Sequence, residues 1–276
     1  MRALISAIAG LVAVLAVGLA LPVGWVAEHV ADEDGYVAFS SDLVDDPQFR
    51  ADVVAAVTDD VVERTGVSEQ FAPPLRTALS DAAAAVVEQP AFREAFEDAQ
   101  RQSHRAFFDG GSEGGSDRLV IDLAPVAQTI IDALTEDVPV QVDAPDRLPV
   151  TVGGDDERRA VEAIDSTPRR TALLVGIAAV AAGLSLLAAR RRSTALGWMG
   201  AGTVLVAALV HVGADRAGPY LLERGSAPSD LAARAQQLLV DAALDSLDGW
   251  VVTAMLVGAG VALLGVLGHA FGRRRG

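Results

Sequence analysis

Cysteine, lysine and asparagine are all missing from these 276 residues. Without Cys the chain can form no disulfide, iron–sulfur cluster, thiolate zinc site or cysteine nucleophile, and it has no lipobox cysteine. Without Lys it can have no P-loop, and without Asn no N-glycosylation sequon. All 22 basic residues are therefore Arg. Lys and Asn have AT-rich codons, and Tyr is scarce as well, so the omissions read as the signature of a GC-rich bacterial genome rather than of a function. HExxH, GxSxG, SxxK and GxGxxG patterns are also lacking in any supporting context, which argues against the common hydrolase and nucleotide-dependent enzymes.

Apolar residues, in contrast, are abundant. They make up 51% of the chain, and the mean hydropathy of +0.34 is too high for one ordinary soluble domain. The excess is concentrated in four runs, 3–26, 171–189, 196–213 and 250–271. Each is close to the roughly 20 residues that a helix needs to cross the hydrocarbon core. None contains Asp, Glu or Arg, any of which costs about 2.5–3.5 kcal/mol at the centre of a spanning helix.

Charge sets the expected orientation. With the N-terminus inside, the cytoplasmic pieces are Arg2, the turn Arg190-Arg191-Arg192 and the tail Arg273-Arg274-Arg275, seven Arg without an acid. All 37 acidic residues then fall outside with the other 15 Arg, as the retention of juxtamembrane Arg in the cytoplasm requires. Arg169 and Arg170 pull the opposite way and are outweighed. Trp25, Trp198 and Trp250 stand near run ends, where interfacial indoles collect. A signal peptide with Gly18-Leu19-Ala20 as its cleavage site is the rival reading of the first run; its length and the unbroken Pro22-Val23-Gly24-Trp25 favour a retained span. Small residues spaced four apart (Ala179 and Gly183, Gly197 and Ala201, Gly258 and Ala262, Gly268 and Gly272) suit close helix packing or arise by chance in an Ala/Gly-rich chain.

The expected fold is thus a four-helix transmembrane bundle with an α+β extracytoplasmic domain, mostly helical with few short strands. Residues 1–27 form the first span, 28–168 the acidic domain, 169–189 the second span and 190–195 an Arg-rich inner turn. The third span is 196–213, an external loop with an amphipathic helix is 214–249, the fourth span is 250–271, and 272–276 is a basic tail. Within the domain, 28–109 is helical, 110–116 is a Gly/Ser linker and 117–168 is the α/β half. Asp46-Pro47 is a helix start, an N-cap acid before Pro at the first helical position, and Phe49, Val53, Val57 and Val61 follow on one face. Pro73-Pro74 and Pro90 open two further helices, the second carrying Phe92, Phe96 and Phe107. Leu119 to Leu123 is a strand, 125–134 a helix, 138–142 and 148–152 strands that could pair, and 155–165 a helix. Ser229 starts a helix whose Leu231, Leu238, Ala242 and Leu247 lie against the domain or on the membrane surface.

Ionisable residues give few candidates. His104 is expected on a solvated helix face and His269 at the membrane interface. His211 and Asp215, four apart near the outer end of the third span, share a helix face, and His29 lies just beyond the first span at similar depth; His/Asp there could bind a divalent metal or relay a proton. The alternative is an ordinary polar pair at the water boundary. Asp32-Glu33-Asp34 and Asp155-Asp156-Glu157 lack EF-hand spacing and read as solvated surface. Neither a catalytic nor a metal residue is assigned, and no cofactor is implied. Net acidity argues against nucleic-acid binding.

Asp34-Gly35-Tyr36-Val37, Asp45-Asp46-Pro47 and Asp122-Leu123-Ala124-Pro125, followed by Arg190 to Arg192, resemble a family of uncharacterised actinobacterial four-span integral membrane proteins with an extracytoplasmic domain between spans 1 and 2. Gly35 stands where that family often has Arg. The resemblance implies location in the bacterial plasma membrane and carries no catalytic residue over. The expected role is that of a non-enzymatic envelope protein whose external domain binds or scaffolds another envelope component, or forms a homo-oligomer, in the lipid bilayer. A small transporter or accessory transport subunit is the alternative, and an envelope enzyme with an unrecognised site the second.

Overall fold

The computed structural model describes residues 1–65, 68, 70–108, 119–122, 149–152, 164, 166–224 and 229–273. These residues fall into two compact units. One comprises Met1–Ala31, Ala163–Leu221 and Asp241–Gly276, the other Asp32–Glu162 and Leu222–Val240.

The first unit holds α1 (Arg2–Val26), α6 (Thr167–Ala188), α7 (Arg192–Arg224) and most of α8 (Asp230–Arg273). Four helices, Arg2–Ala31, Thr167–Ala188, Arg192–Tyr220 and Leu231–Phe271, are long and apolar enough to cross a membrane, which makes this a multi-pass membrane protein. Leu15, Leu19, Val180, Leu184, Leu205, Leu209, Leu263 and Leu264 point outward and are half or more exposed. Large side chains turned outward along every helix need hydrocarbon rather than water around them.

Two seams between its helices are especially close. Between α1 and α6, the Ser6 hydroxyl donates to Ser185 O and the Ser185 hydroxyl donates to Ser6 O, both at 2.9 Å. Each serine thereby satisfies its partner where lipid offers no substitute. Between α7 and α8 the backbones touch. A methyl group on Gly200 would overlap the backbone of Gly258 and Ala262, and one on Gly265 would overlap Gly197 and Ser193 O. Gly183 of the spaced pairs, by contrast, has nothing within 4 Å of its added methyl position.

The apolar runs understate two helices. Beyond the 196–213 run, α7 continues to Arg224 through Pro219, its Arg216 guanidinium donating to Val212 O at 3.1 Å. The amphipathic helix expected in the 214–249 loop and the 250–271 span are one helix, α8, of 44 residues. From Leu231 to Trp250 the sequence is mostly Ala, Leu, Gln and Arg with no Pro, and Gly249 costs only about 1 kcal/mol, so nothing breaks the ladder.

The second unit contains α2 (Glu33–Ser41), a 3₁₀ turn (Asp42–Asp45), α3 (Pro47–Thr65), α4 (Ala72–Val86) and α5 (Pro90–Phe108). Asp46 caps α3, its carboxylate accepting from Phe49 N–H at 2.7 Å, and Asp32 caps α2 through Gly35 N–H. Phe49, Val53 and Val57 of α3 meet Val86 of α4 and Phe92 and Phe96 of α5. Phe49 and Phe96 pack edge to face, centroids 5.8 Å apart. Leu231 and Ala235 of α8, each 5% exposed, belong to the same core, with Leu238 packed against it. Ser229 caps that helix by accepting from Ala232 N–H.

Among the described residues the sheet is a single antiparallel pair, β1 (Leu119–Asp122) against β2 (Pro149–Val152), with Leu119 opposite Val152. The second strand thus finds its partner upstream in 119–122. The 110–116 linker, the 125–134 helix, the 138–142 strand and, but for Ile164, the 155–165 helix lie outside the described residues.

The α7–α8 seam makes a matched test. Gly200→Ala places its methyl in backbone and lowers unfolding stability in detergent by about 1–3 kcal/mol. Gly176→Ala, with nothing within 4 Å of its methyl position, gains helix propensity and is neutral or up to about 1 kcal/mol stabilising. Thermal unfolding of the two variants by circular dichroism separates these outcomes.

Candidate functional site

One turn and a half of α8 collects the polar chemistry of the four-helix unit. Ser246, Asp248 and Trp250 each meet a residue from another helix there. His211 of α7 approaches Asp248 with Nδ1 2.9 Å from Oδ1, while its Nε2 lies 3.7 Å from Asp215 Oδ2. The first is a close side-chain contact across two helices, and the second is too long for a hydrogen bond. Asp248 thus lies nearer the ring, and Asp215 lies one helical turn along α7. An imidazole held between two carboxylates can pass a proton from one side to the other, and its Nε2 with Asp215 offers two ligands to a cation. Two ligands fall short of a metal centre, and among the described residues no group of three or more His, Asp or Glu side chains converges on one point.

His29 stands with other partners. It lies in a π-helical turn, Ala27–Ala31, that follows α1. Its ring stacks on Trp25 at 4.9 Å and 8° and meets Trp250 edge-on at 6.1 Å. A carbonyl can only accept, so Nδ1, 3.1 Å from Trp25 O, carries the proton of the neutral ring. Nε2 then accepts from the Ser246 hydroxyl at 3.3 Å, and that oxygen accepts from the Trp25 indole N–H at 3.1 Å. The result is a closed ring of donors. Trp25, 8% exposed, is packed here, whereas Trp198 is 76% exposed.

The spans hold few other polar side chains. Ser6 and Ser185 satisfy each other, and the Thr203 hydroxyl donates to Met199 O at 3.0 Å. His269 lines a shallow groove between α7 and α8 with Ser193 and Gly197.

In the acidic unit, His104 departs from the expected solvated position: it is 7% exposed, its ring 5.2 Å from Tyr36 and 4.4 Å from Phe108. The covering residue comes from α2, 68 positions earlier, beyond the reach of helix periodicity. Burial pushes the Tyr36 phenol up to about 12, and its hydroxyl reaches Gln100 Oε1 at 3.4 Å. The acid cluster at 32–34 serves structure. Asp32 is the cap, and Glu33 pairs with both arms of the Arg105 guanidinium at 2.8 and 2.6 Å, which holds its carboxyl below the usual range. That pairing is present at neutral pH and is lost as pH falls through the lowered value. Arg93 pairs with Asp45, Arg76 with Asp59 and Arg50 with Glu88. Asp155, Asp156 and Glu157 lie outside the described residues.

Tyr36 yields a pH prediction. The unfolded phenol ionises near pH 10, whereas the folded one keeps its proton to about 12. Stability is therefore full below pH ~10 and declines between about 10 and 12. With Tyr220→Phe, Tyr36 is the last of the two tyrosines, and its absorbance at alkaline pH reads the transition directly; ionisation near 10 in the folded chain would show the hydroxyl to be wet. Ser246→Ala removes the hydroxyl shared by Trp25 and His29 and lowers stability by about 1–2 kcal/mol, which thermal unfolding in detergent measures against Ser246→Thr as the conservative control. Comparison with protein-family models, with curated proteins and with solved structures finds no match to this chain.

Proposed function

We propose that the chain is a cell-envelope protein of a bacterial plasma membrane, with both chain ends on the cytoplasmic side and an acidic α+β domain outside. The external domain binds or scaffolds another envelope component and performs no catalysis of its own. The orientation is supported by the segregation of seven Arg without an acid from all 37 acidic residues. The likeness of the Asp34-Gly35-Tyr36-Val37 and Asp122-Leu123-Ala124-Pro125 segments to four-span actinobacterial proteins agrees with it.

One observation carries the binding role. Leu231 and Ala235, which follow the third apolar helix, share a core with Val53, Phe92 and Phe96, which precede the second. Two external segments separated by two spans thus build one folded body. A body whose core is closed by two separate segments of the chain offers the preformed folded surface that a docking platform needs.

The set of His211, Asp215 and Asp248 favours a second reading, a small transporter or accessory subunit that moves protons or cations. The hydroxyls of Ser6, Ser185 and Thr203 are taken up in helix packing and give such a pathway little lining.

Gentle detergent extraction of the tagged protein from its host, followed by mass spectrometry of what co-purifies, decides between them. The platform reading expects a stoichiometric envelope partner. A lone monomer or homo-oligomer whose vesicles show proton flux abolished by His211→Ala would replace it with the transport reading. The chain's lack of cysteine makes the orientation testable on a clean background. Glu94→Cys is expected to react with a membrane-impermeant maleimide in intact cells, and Thr194→Cys only after permeabilisation.

A further inference from the structure

In the four-helix unit, α1, α6 and α7 leave an open groove of about 850 Å³ that ends at Arg190 and Arg191. We propose that this groove binds one anionic phospholipid of the surrounding bilayer, an acyl chain lying along it and the phosphate held by the two guanidiniums. The proposal rests on these helices crossing a bilayer.

Its dimensions fit. The α1 wall runs from Ala3 to Val14, eleven steps of 1.5 Å or about 16 Å. That is the depth of one leaflet, half of the roughly 30 Å hydrocarbon core. Small residues keep it open, Ala3 and Ala7 on one wall and Ala195 and Ala201 on another. Contacts at its depth fix the walls: an added Cβ on Gly10 would lie 3.2 Å from Ser185 Oγ, and one on Gly202 would lie 3.0 Å from a Val14 methyl.

The chemistry at its mouth is that of an anion site. Arg190 and Arg191 are exposed. The turn they form with Arg192 contains no acid, and among the described residues no carboxylate pairs with any of the three. Arginine grips phosphate oxygens with two parallel hydrogen bonds, and basic pockets between helices at this level of a membrane select anionic headgroups. Trp198, 76% exposed, lines the same groove and supplies an indole for the headgroup region. Apolar wall, cationic mouth and exposed indole therefore lie in the order in which a phospholipid presents its own parts.

The test uses the full chain in detergent and native mass spectrometry with phosphatidylglycerol and phosphatidylcholine of identical chains. The wild type is expected to bind phosphatidylglycerol about tenfold or more tighter, from two Arg at the headgroup. In R190Q/R191Q that ratio falls to about one. Ala7→Phe, a change at an exposed position that fills the groove, weakens both lipids and keeps the ratio. Equal binding of the two lipids by the wild type overturns the proposal, and so does a preference that survives R190Q/R191Q. Displacement of bound lipid by soluble glycerol phosphate also overturns it, because the site would then recognise a free phosphate. A chain that stays soluble once detergent is removed would sink the membrane reading itself, whereas a detergent-requiring chain with no lipid preference sinks only this site.

Discussion

At Gly200 the α7 backbone lies against Gly258 and Ala262 so closely that a single methyl has no room. In water, apolar burial would hold two such helices together at almost any separation. In hydrocarbon that drive is absent, and association comes from dispersion at short range and from polar pairs that have no other partner. The glycines at 197, 200, 258 and 265 supply the short range, and Ser6 with Ser185 supplies the polar pair between α1 and α6. His211 meets Asp248 across the same α7–α8 pair, and His29 meets Ser246 between the turn after α1 and α8.

The acidic unit obeys the opposite rule. Its core is closed by bulk, with Phe92, Phe96 and Val53 almost fully excluded from water, and its polar edges are tied by Arg to carboxylate pairs. Most of those pairs are exposed and contribute little to stability. Their effect is on surface character: Arg, the only strong base in the chain, forks two ways onto a carboxylate, as Arg105 does on Glu33, and fixes the join of α2 to α5 in geometry more than in energy.

What the sequence made legible was local. Asp46 before Pro47 announces a cap, and the Asp46 carboxylate does accept from Phe49 N–H; the Phe49, Val53, Val57 stripe is a core face because 3.6-residue periodicity is a property of one segment alone. The four spans are legible for the same reason. Hidden were the features that depend on two distant segments meeting. Tyr36 covers His104, and Asp248 lies 37 positions from His211. The 149–152 strand pairs with 119–122, about thirty positions upstream. No periodicity within either partner reports such a meeting. The length of α8 was missed for a different cause. A change from polar to apolar composition near Gly249 marks a change of surroundings, and a helix passes through such a change without a break.

The placement of Leu231 and Ala235 in the acidic core also governs how the protein is made. Synthesis runs at about 5–20 residues per second from the N-terminus, and Val53 leaves the ribosome long before Leu231 does. Two further apolar helices must be delivered to the membrane in between. Throughout that interval the acidic unit has its three phenylalanines at 49, 92 and 96 but not the helix that completes their enclosure. It is then a partly closed body with an apolar face, maturing only when the last quarter of the chain emerges. Translation order thereby places completion of the acidic domain after synthesis of the three apolar helices that precede Leu231.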